Sequence, residues 1–307
     1  MKFSIVTPAL NSERFIGETI DSVLSQEGDF EIEYFVMDGK SSDSTPEIVE
    51  RYKQQIDNGS YPIKCRKVSL HCLSKKDGGM YDAINKGLEQ ATGDIQAWIN
   101  SDDIYLPGAF STIVAVFNKF PSIEWVKGIT SYIDEDSKQT QPGHNWLYAR
   151  ELIRDGAYGR SAYFIQQTSV FWQTSLWKKT SGIDPTLKLA GDYYLWLRFV
   201  EHAPLVSIDL PLACFRRTKG QLSENMDAYN KEAAIISRSR PLQDFLVRKF
   251  FRQIMPRGSS PAAPIRQLQQ LVYRLLIGKH YYYSINFPED GEPVLMEGSL
   301  TEIDCQS

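Results

Sequence analysis

Two acidic sites in the 307-residue chain have residue types and settings that could carry chemistry. The first is Asn100-Ser101-Asp102-Asp103, which closes an apolar run from Ile95 to Ile99 and is followed by Pro107-Gly108. Adjacent carboxylates repel each other unless they point apart or a cation lies between them. Hard oxygen donors of this kind suit Mg²⁺ or Mn²⁺, above all where the metal is shared with substrate phosphates. The same residues could equally form a polar turn that caps the next helix. The second site is Asp192, after Leu189-Ala190-Gly191, where a helical pattern begins with Leu195, Trp196 and Phe199 on its apolar face. A carboxylate there is stabilised as the anion by the helix dipole, which suits either a capping residue or a base.

The elements that must hold these sites alternate in type. Phe3 to Thr7 reads as a buried strand closed by Pro8. Asn11 and Ser12 are the expected N-caps of a helix whose buried face carries Phe15, Ile16, Ile20, Val23 and Leu24. Glu31 to Asp38 is a second strand, Pro46 starts a second helix, and Ile63 to Leu70 is a third strand before a helix from Met80 to Gln90. Beyond the Asp pair come a helix from Ala109 to Phe120 and a strand from Glu124 to Ile133. A loop over residues 141–162, an alternating stretch from Phe164 to Trp172 and a short strand from Leu205 to Ile208 follow. Strand, helix and strand at this spacing predict an α/β fold with a mostly parallel sheet flanked by helices. In such sheets ligands collect at the carboxyl ends of the strands, where the Asp pair lies.

Several classes are excluded early. Neither G-x-G-x-x-G nor G-x-x-x-x-G-K-[ST] stands at the first turn, so a dinucleotide fold and a P-loop are set aside. A net charge of −4 argues against a protein devoted to nucleic acid. Four scattered cysteines without a C-x-x-C pair give neither a zinc site nor a disulfide framework, and a reducing, cytoplasmic setting is expected. The apolar start is too short for a signal peptide, and no run reaches the roughly 18 residues of a membrane span. Asp38, at the end of the second strand, could accept hydrogen bonds from a base or ribose, or cap the turn at Ser41 and Ser44. The cluster Arg216-Arg217-Thr218-Lys219 could hold a diphosphate or be a solvated loop.

The stretches SIVTPALNSERFIGETIDSVLSQ, VMDGKSSDST, SKKDGGMYDAINKGLEQATGDIQAWINSDDIYLPGA, IQQTSVFW and LAGDYYLWLRF together resemble the family 2 glycosyltransferases, inverting enzymes of the GT-A fold. The resemblance covers about residues 3–225, in the family's order, and is strongest to the group that builds bacterial O-antigen and capsule polysaccharides. It implies that Thr7, Pro8, Asn11 and Asp38 lie around the nucleotide, and that Asp77 and Gly78 line its site. It further implies that Asn100, Asp102 and Arg216 contact the donor, that Asp102 and Asp103 hold a divalent metal, and that Asp192 is the general base. Asp103→Ala is then expected to abolish metal-dependent donor binding with the fold kept. Two residues depart from the family: Asn100 stands where many relatives have Asp, and Gly191 where the wider family is often acidic.

The implied reaction is transfer of a sugar from a nucleotide-diphosphate sugar, a UDP-sugar by preference, to a glycan or lipid-linked acceptor in surface polysaccharide synthesis. Two rivals stand beside it. A sugar nucleotidyltransferase would want a Gly-rich basic loop after the first strand, which Thr7 to Arg14 lacks, and a non-catalytic binding module would not need all three acids. Residues 1–226 are read as the catalytic domain and residues 227–307 as a helical, basic C-terminal appendage. Between Arg240 and His280 eight Lys or Arg face one acid, Asp244, with Phe and Leu interleaved. Such a segment either packs on the domain or lies on an anionic membrane, which would place the enzyme on the inner face of the cell membrane.

Overall fold

The first strand is mostly apolar and sits inside the sheet, between two other strands, so that its polar side chains Ser4 and Thr7 are buried too. In the computed structural model, which describes residues 1–156, 158, 164–237, 280–288 and 291–299, Phe3 to Ala9 are all buried. The elements run β1 (Lys2–Ala9), α1 (Ile16–Leu24), β2 (Gly28–Asp38), α2 (Thr45–Asp57), β3 (Cys65–Ser74), α3 (Met80–Gln90), β4 (Ile95–Trp98) and β5 (Ile104–Tyr105). They continue with α4 (Ala109–Lys119), β6 (Trp125–Ile133), β7 (Gln139–Gln141), α5 (Arg150–Arg154), β8 (Val170–Gln173), α6 (Thr174–Trp177), α7 (Gly191–His202) and β9 (Val206–Arg216). Helix α8 (Met226–Ile236) and the strands β10 (Tyr281–Asn286) and β11 (Val294–Ser299) complete the described chain.

One sheet carries the order β11-β10-β9-β6-β8-β4-β1-β2-β3, with β5 on β9 and β7 on β6. Strands β3, β2, β1 and β4 are parallel, as are β6, β9 and β10. Strand β8 runs antiparallel between β4 and β6, so the sheet is mixed rather than parallel throughout. The register sets Ala9 beside Asp38 and Val6 beside Trp98. The ends of β1, β2 and β4 therefore open on one crevice, the place where an open α/β sheet binds ligands.

Three expectations change. Helix α1 starts at Ile16, not at Asn11 or Ser12, because both side chains are used between loops. Asn11 takes a left-handed backbone (φ 51°), and its Oδ1 accepts the Ser42 N–H at 2.9 Å, while the Ser12 and Ser101 hydroxyls share a hydrogen bond of 2.7 Å. Strand β9 extends to Arg216, where the apolar pattern shows only Leu205 to Ile208. Asp209 and Pro211 break that pattern, and register shifts against β6 absorb them. The stretch after residue 226 is not a separate helical appendage among the described residues: α8 packs on α7, and β10 and β11 extend the same sheet. The basic stretch 240–280, apart from His280, lies outside the described residues. Among the described residues no helix is long and apolar enough to cross a membrane.

The core between sheet and helices is aromatic where it supports the crevice. Trp98, which precedes Asn100–Asp103, and Trp196, one turn after Asp192, stack with ring centroids 5.7 Å apart and planes 9° from parallel. Trp125 stacks on the other side of Trp196 at 5.6 Å, and Trp172 meets Trp98 edge-on at 5.7 Å. All four are 2% exposed or less, so each contributes its full apolar area. Trp196→Ala is expected to lower stability by roughly 3–5 kcal/mol, the usual range for truncating a buried Trp. Urea unfolding followed by far-ultraviolet circular dichroism measures it, and a loss below about 1 kcal/mol would contradict the packing role.

Candidate active site

The loop after β4 is built on Asp103. Its side chain is fully buried, with 0% exposure, in surroundings that oppose a charge. Oδ1 accepts the backbone N–H of Arg216 at 2.9 Å, and Oδ2 accepts the Thr168 hydroxyl at 3.0 Å and the Asn100 amide at 3.4 Å. Burial, and then the charge of Asp102, pushes its carboxyl well above the usual carboxylate range, while the Arg216 N–H and the Thr168 hydroxyl act in the opposite direction. Both oxygens are thus taken by protein donors from β4, β9 and the turn before β8. Asp103 is an anchor for these elements, and the metal role given to it does not fit its position.

Asp102 points differently. It is half-buried, and its Oδ2 accepts the Gln221 side-chain amide at 3.0 Å. Burial raises its carboxyl above the usual range, against the pull of Gln221 and Arg216. Beside it, Asn100 turns its amide nitrogen toward Asp103 and leaves Oδ1 buried without a hydrogen-bond partner. An orphaned buried oxygen is costly unless a donor or cation meets it. No group of three or more His, Cys, Asp and Glu side chains that could hold a metal occurs among the described residues. The oxygens of Asp102 and Asn100 nevertheless form a hard donor pair on one turn, a set that suits Mg²⁺ or Mn²⁺ when substrate oxygens complete the shell.

Arg216 is not available to a diphosphate, because its fully buried guanidinium is already saturated by the protein. It donates to the carbonyls of Asp102 (2.7 Å) and Asp134 (3.0 Å), to the Ser137 hydroxyl (2.8 Å) and to Glu18 (2.7 Å), and lies over the Phe15 ring. Arg217 and Lys219 instead line an open cleft of about 460 Å³ opposite Asp134, Glu135 and Asp136. Thr7 is also withdrawn: its hydroxyl is buried and shares a hydrogen bond of 2.8 Å with Tyr34, and Pro8 beside it is buried in β1.

Asp38 and Asp77 come together at the other end of the crevice. Asp38 accepts from the Ser41 N–H and hydroxyl, at 3.1 and 2.5 Å, and from the Ser74 hydroxyl. It caps the turn at Ser41, without the contact to Ser44. Asp77 accepts the Gly79 N–H at 2.9 Å, and Gly78 donates its N–H to Asp82 at 2.7 Å. A groove of about 260 Å³ lined by Asp38, Lys75 and Asp77 opens here and runs along α3 past Lys86 to Gln90.

Asp192 stands in the first turn of α7, half-buried, with its Oδ1 accepting the Tyr193 N–H at 2.7 Å. Burial pushes its carboxyl up to about 7, and the hydrogen bonds from backbone N–H groups and from Tyr229 hold it from rising further. A carboxyl poised near neutrality has the proton affinity that a general base needs. Gly191 explains its own departure from the family: a Cβ there would lie 2.6 Å from two carbons of the Tyr81 ring. Tyr81 also donates to the Leu189 carbonyl at 2.7 Å, so α3 fastens the turn that leads into Asp192. Thr168, Gln221 and Tyr229 are site residues that the sequence reading does not name. Thr168 lies in a quoted motif, but no spacing rule singles it out from its neighbours.

An open α/β sheet whose strand ends gather an acidic turn, a nucleotide-sized groove and a separate basic carboxylate has the GT-A arrangement. The model of glycosyl transferase family 2 matches residues 4–179, more than half of the chain, and the chain belongs to that family. Among curated relatives, the poly(ribitol-phosphate) beta-N-acetylglucosaminyltransferase TarS of Staphylococcus aureus (strain MW2) is 27% identical over 237 residues, covering 75% of this chain and 38% of that protein. The chondroitin synthase of Escherichia coli is 25% identical over 215 residues, 70% of this chain and 28% of that protein. An uncharacterized glycosyltransferase of Rickettsia typhi is 26% identical over 205 residues, 64% and 58% of the two chains. The chain thus spans between 28% and 58% of the length of these relatives.

Two solved structures share the fold. Residues 1–349 of S. aureus TarS in complex with UDP-GlcNAc match with a TM-score of 0.57 at 17% identity, over 82% of this chain and 73% of that one. A mannosyltransferase from Pyrobaculum calidifontis in complex with GDP-Man and Mn²⁺ matches with a TM-score of 0.52 at 16% identity, over 90% and 70%.

The geometry gives a direct test of Asp103. Asp103→Ala leaves three buried donors without their acceptor and is expected to cost roughly 3–5 kcal/mol, so the fold would not be kept intact as the metal role implies. Asp103→Asn, which keeps one acceptor, should cost less. Thermal and urea unfolding of both variants check the order, and an Asp103→Ala protein as stable as wild type would overturn the anchoring role.

Proposed function

We propose that the protein is an inverting glycosyltransferase that moves a sugar from a UDP-linked donor to a glycan or lipid-linked acceptor in surface polysaccharide synthesis. The observation that carries this reading is the pair of separate acidic stations. Asp102 stands half-buried beside the unpartnered Asn100 Oδ1 on the turn after β4, and Asp192 carries a carboxyl of raised proton affinity at the start of α7. The TarS complex with UDP-GlcNAc and the mannosyltransferase complex with Mn²⁺ supply the analogy for donor and metal.

In this reading the groove at Asp38 and Asp77 takes the base and ribose, and Asp102 and Asn100 hold Mg²⁺ or Mn²⁺ against the donor diphosphate. When bound, that ion supplies Lewis-acid stabilisation of the leaving nucleoside diphosphate. Asp192 accepts the proton of the acceptor hydroxyl as its oxygen bonds to the anomeric carbon. The carbon–oxygen bond to the diphosphate breaks and takes its electron pair with it, and the anomeric configuration inverts. No covalent sugar–enzyme intermediate is needed, because acceptor and leaving group occupy opposite faces of the sugar.

Two outcomes are expected. In a thermal-shift assay against a panel of nucleotide sugars, UDP-sugars should raise the melting temperature with Mn²⁺ and lose most of that effect in Asp102→Asn. An equal shift in that variant would rule out the metal assignment. Asp192→Asn should lose ~10²–10⁴-fold in turnover, the usual contribution of a general base, with nucleotide binding unchanged. Because the base must be ionised, and burial places its titration at about 7, wild-type turnover should rise with pH up to about that value and level off above it. Near-normal turnover in Asp192→Asn, or a rate independent of pH from 5 to 8, would sink the assignment (the pH span is about two units below and one above the titration point).

A further inference from the structure

Helix α8 follows the part of the chain that carries the family resemblance, yet it closes over the base. Tyr229 and Glu232 are three residues apart on it, a spacing that puts both on one face. That face meets the start of α7 through a small apolar cluster of Ala190, Tyr193 and Ala233, with Leu197, Tyr229 and Ile236 packed against it. The Glu232 carboxylate accepts three consecutive backbone N–H groups from the turn before Asp192: Lys188 at 2.9 Å, Leu189 at 2.8 Å and Ala190 at 2.9 Å. Burial works against its charge, but the three N–H groups and the Lys188 ammonium outweigh this and hold its carboxyl below the usual range. Tyr229 packs its ring edge-on against Phe164, with centroids 5.2 Å apart.

We infer that Glu232 is a positioning residue for the general base: it fixes the Lys188–Ala190 turn from which Asp192 follows. The inference rests on the reading of Asp192 as the base and names what holds that base in place. The geometry favours this over plain helix packing. A carboxylate that collects three adjacent N–H groups fixes the path of the backbone, which apolar contacts alone do not. The turn is held from the other side by the Tyr81 hydroxyl on the Leu189 carbonyl and by the Lys188 ammonium on the Gly78 carbonyl at 3.2 Å. Through Lys188 the clamp reaches the loop that lines the nucleotide groove. The titratable groups around Asp192 are therefore Tyr81 from α3, Tyr193 on α7, Tyr229 and Glu232 from α8, and Lys188 from the turn itself.

The test uses the 307-residue chain and the conservative variant Glu232→Gln. Hydrogen exchange of the Lys188, Leu189 and Ala190 amides should speed up by about tenfold or more, with exchange in the β1 and β4 amides unchanged. The carboxyl-carbon NMR titration of Asp192, assigned with Asp192→Asn, should move by about half a pH unit or more, because the turn that sets the burial of that carboxyl is released. A merely structural role would lower the melting temperature and leave the Asp192 titration in place. Unchanged exchange, or an unmoved titration, in Glu232→Gln overturns the positioning role. Neither readout depends on turnover. A fully active Asp192→Asn enzyme would remove the base reading alone, whereas an inactive one with both readouts unmoved would remove this inference alone.

Discussion

The buried carboxylate of Asp103 is the constraint on which the rest of the site depends. A carboxyl group is tolerated in a dry interior only when hydrogen-bond partners meet its oxygens, because their desolvation is otherwise uncompensated. The donors that meet it come from distant parts of the chain: Asn100 beside it, Thr168 before β8 and the backbone of Arg216 at the end of β9. Its backbone carbonyl is held as well, by the Thr19 hydroxyl of α1 at 2.8 Å. Once these contacts form, the turn Asn100–Asp102 has little freedom, and Asp102 is left half-buried against Gln221. The acid that looks most like a ligand in the sequence is the one the fold uses as a fastening.

A second constraint links that turn to the base. Trp98 and Trp196 stack between β4 and α7, and each lies within a few residues of one acidic station. Displacement of α7 by even an ångström would open voids among rings that are fully buried, and packing at crystal-like density resists such voids. Aromatic contact therefore sets the spacing between the Asn100–Asp103 turn and Asp192. A site built from groups on both elements is pre-organised only if that spacing is fixed.

Much of this was legible in the sequence, for physical reasons that also mark where legibility stopped. Buried strands such as β1 and β4 are dominated by apolar residues, and their polar ends are abrupt, so the crevice could be placed from Ile95–Asp103 alone. Asp192 could be picked out because it opens an amphipathic helix. Which carboxylate of the pair faces outward could not be read, because it depends on Thr168 and Arg216, remote in sequence. Arg216 looked like a phosphate ligand for the same reason: an Arg in a basic run looks solvated until its four protein acceptors are seen. Thr7 and Pro8 carried the family pattern, yet the side-chain partner of Thr7 is Tyr34, one strand away. Helix α8 was cut off from the catalytic domain because its composition shifts there, although composition says nothing about docking.

The environment of Asp192 shows how opposing effects are weighed. The helix dipole favours the anion by about 0.3–1 kcal/mol, which is roughly 0.2–0.7 of a pH unit. Burial acts the other way and is larger, since the carboxyl ends up at about 7 rather than at its ordinary 3.8 despite donors on every accessible side. The enclosure that produces this burial is assembled from Tyr81, from the glycine that makes room for its ring, and from the face of α8. An acidic residue in place of Gly191 would collide with Tyr81 and set a second negative charge beside the first. The two departures from the family pattern therefore have different consequences. Asn100 replaces a charge with a neutral oxygen next to Asp102, which lessens repulsion there and lowers the charge offered to a metal. Gly191 removes a charge next to the base and admits an aromatic wall, so the proton affinity of Asp192 depends on exclusion of water rather than on a neighbouring anion.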